Sequence, residues 1–237
     1  MKIFLSIIFL TAFAFNASAY FENHPPYKSK EKPFKSLNVP LLVDYDHPEY
    51  KSIDGKIVIR LKETADTLDF FIKVGGLILV KMTERESPVP YAVYQSDLDK
   101  NGLMDFIVFY NFRANGLAAY ESMTDLFLNM GGKGYRKISF KSMNVGLEDY
   151  VNLNNDDKNE VIITDTFCGE EHCYFSYSIY EFKDGRLVNA DAKFKGFPKF
   201  IWMTNKPNDK DTVHLTAQER ASQVVKKNEA IQYSEIK

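Results

Sequence analysis

One stretch constrains this chain more than any other: Asp97-Leu98-Asp99-Lys100-Asn101-Gly102-Leu103-Met104-Asp105, followed at once by Phe106-Ile107-Val108-Phe109-Tyr110. The first nine residues put oxygen-bearing side chains at loop positions 1, 3, 5 and 9, with glycine at position 6. A hard cation such as Ca²⁺ takes six to eight oxygens, so a sharp turn must fold several of them onto one point. Gly102 can take a positive φ there at no steric cost. Leu103 can lend its backbone carbonyl, as the seventh position does in an EF-hand loop. An EF-hand would carry a bidentate Glu at position 12, where this chain has Val108, and a helix on either side. The aromatic and β-branched run after the loop instead reads as a strand. The stretch therefore predicts a Ca²⁺ loop opening into a sheet, with Asp97, Asp99, Asn101, Leu103 and Asp105 as ligands.

A second stretch repeats the pattern 55 residues later, from Asn152 through Asn154, Asp156 and Glu160 into Val161-Ile162-Ile163-Thr164. It keeps oxygens at positions 1, 3, 5 and 9 but replaces two carboxylates by amides and the glycine by Asp157. Fewer charges mean weaker Ca²⁺ binding. Asp, Asn and Gly also favour turns for purely local reasons, so a solvated Asx turn is the rival reading of both loops. Two copies that each lead into a strand favour metal at the first. At the second, weak metal binding and a vestigial turn both stay open.

The first loop, its strand and the later run Asp125-Leu126-Phe127-Leu128-Asn129-Met130-Gly131-Gly132-Lys133-Gly134-Tyr135 resemble the FG-GAP/VCBS type of repeat, found in integrin-like β-propellers and many secreted bacterial proteins. The resemblance covers about residues 91–166. It implies propeller-like packing of repeats around calcium loops, although two recognisable repeats cannot close a propeller.

The rest of the chain suits that setting. Met1-Lys2 and a short apolar run end in Ala17-Ser18-Ala19, small residues at −3 and −1 of a cleavage point, so residues 1–19 are expected to be a signal peptide. The run is shorter than the ~20 residues a spanning helix needs, and no later stretch is long and apolar enough. The expected location is secreted or periplasmic. Loss of residues 1–19 removes Lys2 and no acid, moving the formal charge from −2 to −3. That balance gives no basic footprint for nucleic acid.

Residues 20–40 carry Pro25, Pro26, Pro33 and Pro40 among lysines and read as an extended arm. From 41 to 214 short apolar runs alternate with turn signals: strands are expected at 41–45, 56–61, 68–74, 77–82, 91–94, 105–112, 125–130, 135–140, 161–167, 174–182, 186–188 and 197–203. Asp54-Gly55, Gly75-Gly76 and Asp184-Gly185 mark turns between them. Residues 115–124 could hold a short helical turn. The expected class is mainly β and antiparallel, propeller-like or sandwich-like, with a C-terminal helix over 215–237. Thr216 and Glu219 form a capping box for that helix. Its thin apolar stripe is Ala221, Val224, Val225, Ala230 and Ile231.

Cys168 and Cys173 are the only cysteines, and in an exported chain so close a pair reads as a disulfide. A Cys-His-Cys zinc site through His172 is the alternative, but it needs reduced thiols and a fourth ligand. No G-x-S-x-G, H-E-x-x-H or P-loop is present. Three functions stay in view: a calcium-stabilised structural or protein- or glycan-binding module, a secreted hydrolase using separated acids, and an inhibitor or adhesin module using the Cys168–Cys173 loop.

Overall fold

The computed structural model describes residues 35–64, 67–83, 88–112, 121–143, 145–154, 156–168, 173–202 and 215–237. The expected export segment, most of the Pro-rich arm and the 169–172 tip lie outside these residues. The architecture is mainly β and antiparallel, with one C-terminal helix.

Three consecutive four-stranded meanders make up the body. The first comprises β3 (Glu49–Lys51), β4 (Ile57–Glu63), β5 (Leu68–Val74) and β6 (Leu77–Met82), paired in chain order. The second runs through β7 (Val89–Ser96), β8 (Asp105–Asn111), β9 (Glu121–Asn129) and β10 (Tyr135–Met143). The third is β11 (Tyr150–Asn152), β12 (Glu160–Cys168), β13 (Cys173–Lys183) and β14 (Arg186–Asn189). Distant segments extend two of them. β1 (Lys35–Ser36) pairs with β11, and β15 (Lys199–Trp202) pairs with β13. β2 (Leu41–Asp44) pairs with β7, and β16 (Gln232–Ile236) pairs with β10.

The meanders stack face to face, with the second in the middle. Strand residues alternate faces, and β8 shows the result: Phe106, Val108 and Tyr110 join a core with Ile59, Leu61, Phe70 and Ile72 of the first meander. Ile107 and Phe109 join another with Val161, Ile163 and Tyr180 of the third. β8 is therefore buried on both sides over its first six residues. That explains why its sequence is a continuous apolar run rather than an alternating one.

The same turns recur in each layer. The link from first to second strand is polar in all three: Ser52–Lys56 in the first meander, then the two Asp/Asn-rich stretches. The link from third to fourth strand is glycine-containing. In Asp184-Gly185 both φ angles are positive, at 52° and 67°, which matches the right-handed twist of the hairpin strands.

Three expectations are corrected. Residues 121–124, placed in a helical turn, open β9 instead; 115–120 lie outside the described residues. The C-terminal helix, here α1 (Ala217–Ala230), stops well before Lys237. Ile231 turns extended and is buried in the core, and residues 232–236 after it pair along the open edge of β10. The capping box holds, with Glu219 N–H donating to Thr216 Oγ1 at 3.3 Å. The apolar stripe does not: α1 buries Gln223 and Lys227, while Val225 stays 52% exposed.

Candidate metal site

The first Asp-rich stretch lies between β7 and β8, anchored at its second position by Leu98, which is buried in the core. From that anchor the backbone doubles back through two left-handed residues, Lys100 (φ 59°) and Gly102 (φ 83°). The Asp97 carboxylate receives Asn101 N–H at 3.0 Å and Gly102 N–H at 3.0 Å. Asp99 receives Asn101 N–H at 3.3 Å, and Asn101 Oδ1 receives Leu103 N–H at 2.8 Å. These bonds curl the loop so that its carboxylates point inward.

Asp97, Asp99 and Asp105 each offer an oxygen, and the three lie within 4.8 Å of one another. With Ca–O distances of about 2.4 Å, oxygens across one ion stand at most about 4.8 Å apart, so the three fit a single Ca²⁺. Among the described residues this is the one place where His, Cys, Asp or Glu side chains gather in that way. Asn101 and Leu103 lie outside this triad: Asn101 Oδ1 accepts Leu103 N–H on the same turn.

Asp105 sets the electrostatics. It is fully buried at the start of β8, and Leu98 N–H (2.8 Å) and Asn129 N–H (2.7 Å) each hold one of its oxygens. Burial pushes its pKa up to about 7; the two backbone donors pull the other way, and the charges of Asp99 and Asp97 add to the rise. Asp99 is raised too, first by burial. Three carboxylates converge here on a point where a cation would relieve all of them.

Asn129 was not singled out from the sequence, yet it touches the loop on both sides. Its N–H holds Asp105, and its carbonyl accepts Asn101 Nδ2–H at 2.9 Å. Its side chain donates to the Tyr135 hydroxyl at 3.2 Å and accepts Gly131 N–H at 3.0 Å. The only signal for it was its place at the end of β9, inside the run that resembles the repeat family.

The second stretch keeps part of this geometry. Leu153 N–H donates to Glu160 Oε2 at 2.8 Å, as Leu98 does to Asp105. Glu160 is likewise buried, and its pKa is raised by that burial. Asn154 and Asp156, however, bond to each other, Nδ2–H to Oδ2 at 2.9 Å, and both are exposed. Asn152 keeps a buried Oδ1 with no partner among the described residues. Strand register puts Phe182 where the first loop has Asn129, because Phe106 pairs with Phe127 and Val161 with Tyr180. The Asn129 bonds to Asp105 and Asn101 come from its backbone, so what Phe182 lacks is the side-chain amide that ties Asn129 to Gly131 and Tyr135.

No family model, curated protein or solved structure matches this chain. Its function must be read from its own residues.

The cysteines end the β12–β13 hairpin. Register pairs Cys168 with Cys173, and Cys173 is disulfide-bonded. Directly opposite residues of an antiparallel pair have Cα atoms about 4.5–5.5 Å apart, inside the span a disulfide bridges. Beside this end Phe167, Tyr174, Phe200 and Trp202 cluster, with Tyr174 at 5.0 Å from the Phe167 ring and 5.7 Å from the Phe200 ring. Among the described residues no helix is long and apolar enough to cross a membrane.

Proposed function

We propose that the protein is an exported calcium-binding β-repeat module of the FG-GAP/VCBS kind. In this reading Asp97, Asp99, Asn101 and Asp105, with the Leu103 carbonyl and waters, hold one Ca²⁺. The ion fixes the β7–β8 link and, through Asn129, the β9–β10 turn, giving a rigid rim for structure or for a protein or glycan ligand. The observation that carries the reading is the convergence of three carboxylates, one of them fully buried, with an oxygen of each within 4.8 Å of the others. Three stacked meanders with a polar link at the same place in each also support a repeat origin. In the second loop the mutual pairing of Asn154 and Asp156 favours a turn over a metal site.

A calcium titration followed by thermal melting tests the reading. The wild type should melt higher in millimolar calcium than in excess chelator, and Asp99→Ala should lose that response. Equal wild-type melts in both buffers would mean that the loop is an Asx-rich turn and no more.

A second reading is a contact surface at the Cys168–Cys173 hairpin end, offered by the half-buried Phe167 and Trp202, since Tyr174 and Phe200 of the same cluster are buried. Trp202 is the chain's one tryptophan, so a ligand docking there would shift its fluorescence; bound ligand with an unchanged spectrum would place the contact elsewhere.

A further inference from the structure

A cleft opens where the glycine turns of the three meanders meet at one end of the stack. Leu77, the first residue of β6, lines it together with Met130, Lys133 and Arg136 of the β9–β10 turn. Glu235 and Lys237, at the end of β16, complete the lining. Its volume is about 540 Å³, within the roughly 300–1,000 Å³ of small-molecule sites. The third meander reaches the same place. A Cβ on Gly185 would stand 3.1 Å from Arg136 Nη1 and 3.2 Å from Met130 Sδ, so the Asp184-Gly185 turn packs directly on both.

The walls of this cleft are fixed from several sides. Gly134 (φ 91°) lies so close to the Ile236 carbonyl that no side chain fits between them. The Asn129 side chain ties Gly131 N–H and the Tyr135 hydroxyl across the turn. Arg136 Nη1 donates to Asp184 O at 3.0 Å and to Gly185 O at 3.4 Å, and its Nη2 donates to Glu235 Oε1 at 3.3 Å. Lys237 Nζ holds the other Glu235 oxygen at 3.0 Å. Two cations therefore share one carboxylate. Lys133 is exposed on the rim and pairs with no carboxylate among the described residues. The lining side chains carry three positive charges against the single negative charge of Glu235.

We infer that this cleft binds a small organic carboxylate, its head at Lys133 and its carbon body against the half-buried Leu77 and Met130. A cleft with an excess of one charge concentrates ligands of the other sign. Phosphate is the poorer head, because it is favoured by the two parallel bonds of a guanidinium. The Arg136 fork is already taken up by Asp184, Gly185 and Glu235. Lysine meets an anion as a compact point charge and needs no such fork. None of these groups belongs to the Asp97–Asp105 loop, so the site goes beyond the calcium reading and does not depend on it.

Amide NMR titration of the whole chain tests this, run both in chelator and in calcium. Benzoate is the probe, benzamide its uncharged counterpart, acetate the head alone and phenyl phosphate the rival head. Benzoate should shift the amides of Gly132, Lys133 and Gly134 saturably in both buffers, and the other three compounds should bind more weakly. Lys133→Met should weaken benzoate by about fivefold, the upper end for an exposed ion pair. Lys158→Met, on the second stretch and outside the lining, should leave benzoate binding unchanged. The wild-type arms need no variant to fold. Absence of a saturable benzoate shift at this turn, or benzamide binding as tightly, would overturn the site. Tighter phenyl phosphate would overturn the carboxylate head, and acetate binding as tightly as benzoate would overturn the apolar wall. Wild-type benzoate affinity in Lys133→Met would overturn the placement of the head.

Discussion

Calcium should stabilise this protein strongly above neutral pH and hardly at all in mild acid, and Asp105 is the reason. In the metal-free fold its pKa lies near 7, against 3.8 for the free side chain. The folded state therefore binds a proton that the unfolded chain releases between those two values. Stability of the metal-free protein is greatest below pH 3.8 as far as this group is concerned, is lost as pH rises through about 7, and is flat above. A rise of that size sets an upper bound of about 4 kcal/mol on the loss. Ca²⁺ needs the deprotonated carboxylate, so its apparent affinity falls about tenfold for each pH unit below 7. With a Kd of ~10⁻⁴ M at pH 8 and ~10⁻³ M free ion, mass action adds about 1.4 kcal/mol. At pH 5.5 the same concentration adds about 0.2 kcal/mol. The assay is urea unfolding at the two pH values, with calcium-stripped protein and with added calcium. Asp105→Asn, which keeps the side-chain shape, should abolish both the calcium increment and the loss of stability between pH 5.5 and 8. A calcium increment of equal size at both pH values, or an Asp105→Asn variant with the wild-type pH slope, would refute the reasoning.

Asn129→Ala removes the side-chain bonds to Gly131 and Tyr135 but keeps the backbone groups that hold Asp105 and Asn101. It should lower the melting point in chelator and change calcium affinity by less than the ~10-fold of a residue whose side chain positions ligands; calorimetric titration measures the affinity. Asp156→Ala in the second stretch should leave the calcium response of the melt intact. Phe109→Ala should cost about 3–5 kcal/mol in urea unfolding, because this buried ring lies against Tyr91, Tyr94 and Tyr150 at 6.0, 5.6 and 6.4 Å. The unreduced protein should titrate no free thiols, and reduction should destabilise it by less than the ~3 kcal/mol expected for a 15-residue loop.

Where strand identity is written locally, the sequence was enough. β5 and β6 match residues 68–74 and 77–82 because a Gly-Gly turn bounds two apolar runs. Where it depends on a distant partner, the sequence was silent. β3 and β11 are three residues each, and Glu49-Tyr50-Lys51 has no apolar pattern; both exist because a neighbouring strand offers an edge. β16 looked like the end of a helix for the same reason. The convergence of Asp97, Asp99 and Asp105 was legible, since their spacing along the loop is local. Its electrostatics were not, because the burial of Asp105 comes from the layers above and below it. Lys227 misled in the opposite sense: periodicity places lysine outside, and only its tertiary bonds to Ile163 O, Ser176 O and Ser178 Oγ bring it in.

The middle sheet begins with β2 at residues 41–44 and ends with β16 at 232–236, with the second meander between them. Its two borders come from opposite ends of the described chain. As the polypeptide emerges N-terminus first, each meander can form from neighbouring residues, but the layer on which both cores rest stays open along β10 until residues 232–236 arrive. Closure of the whole is then a late step gated by a five-residue strand, and a nascent chain stalled before Gln232 would expose the edge of β10, the kind of surface on which strands from other chains aggregate.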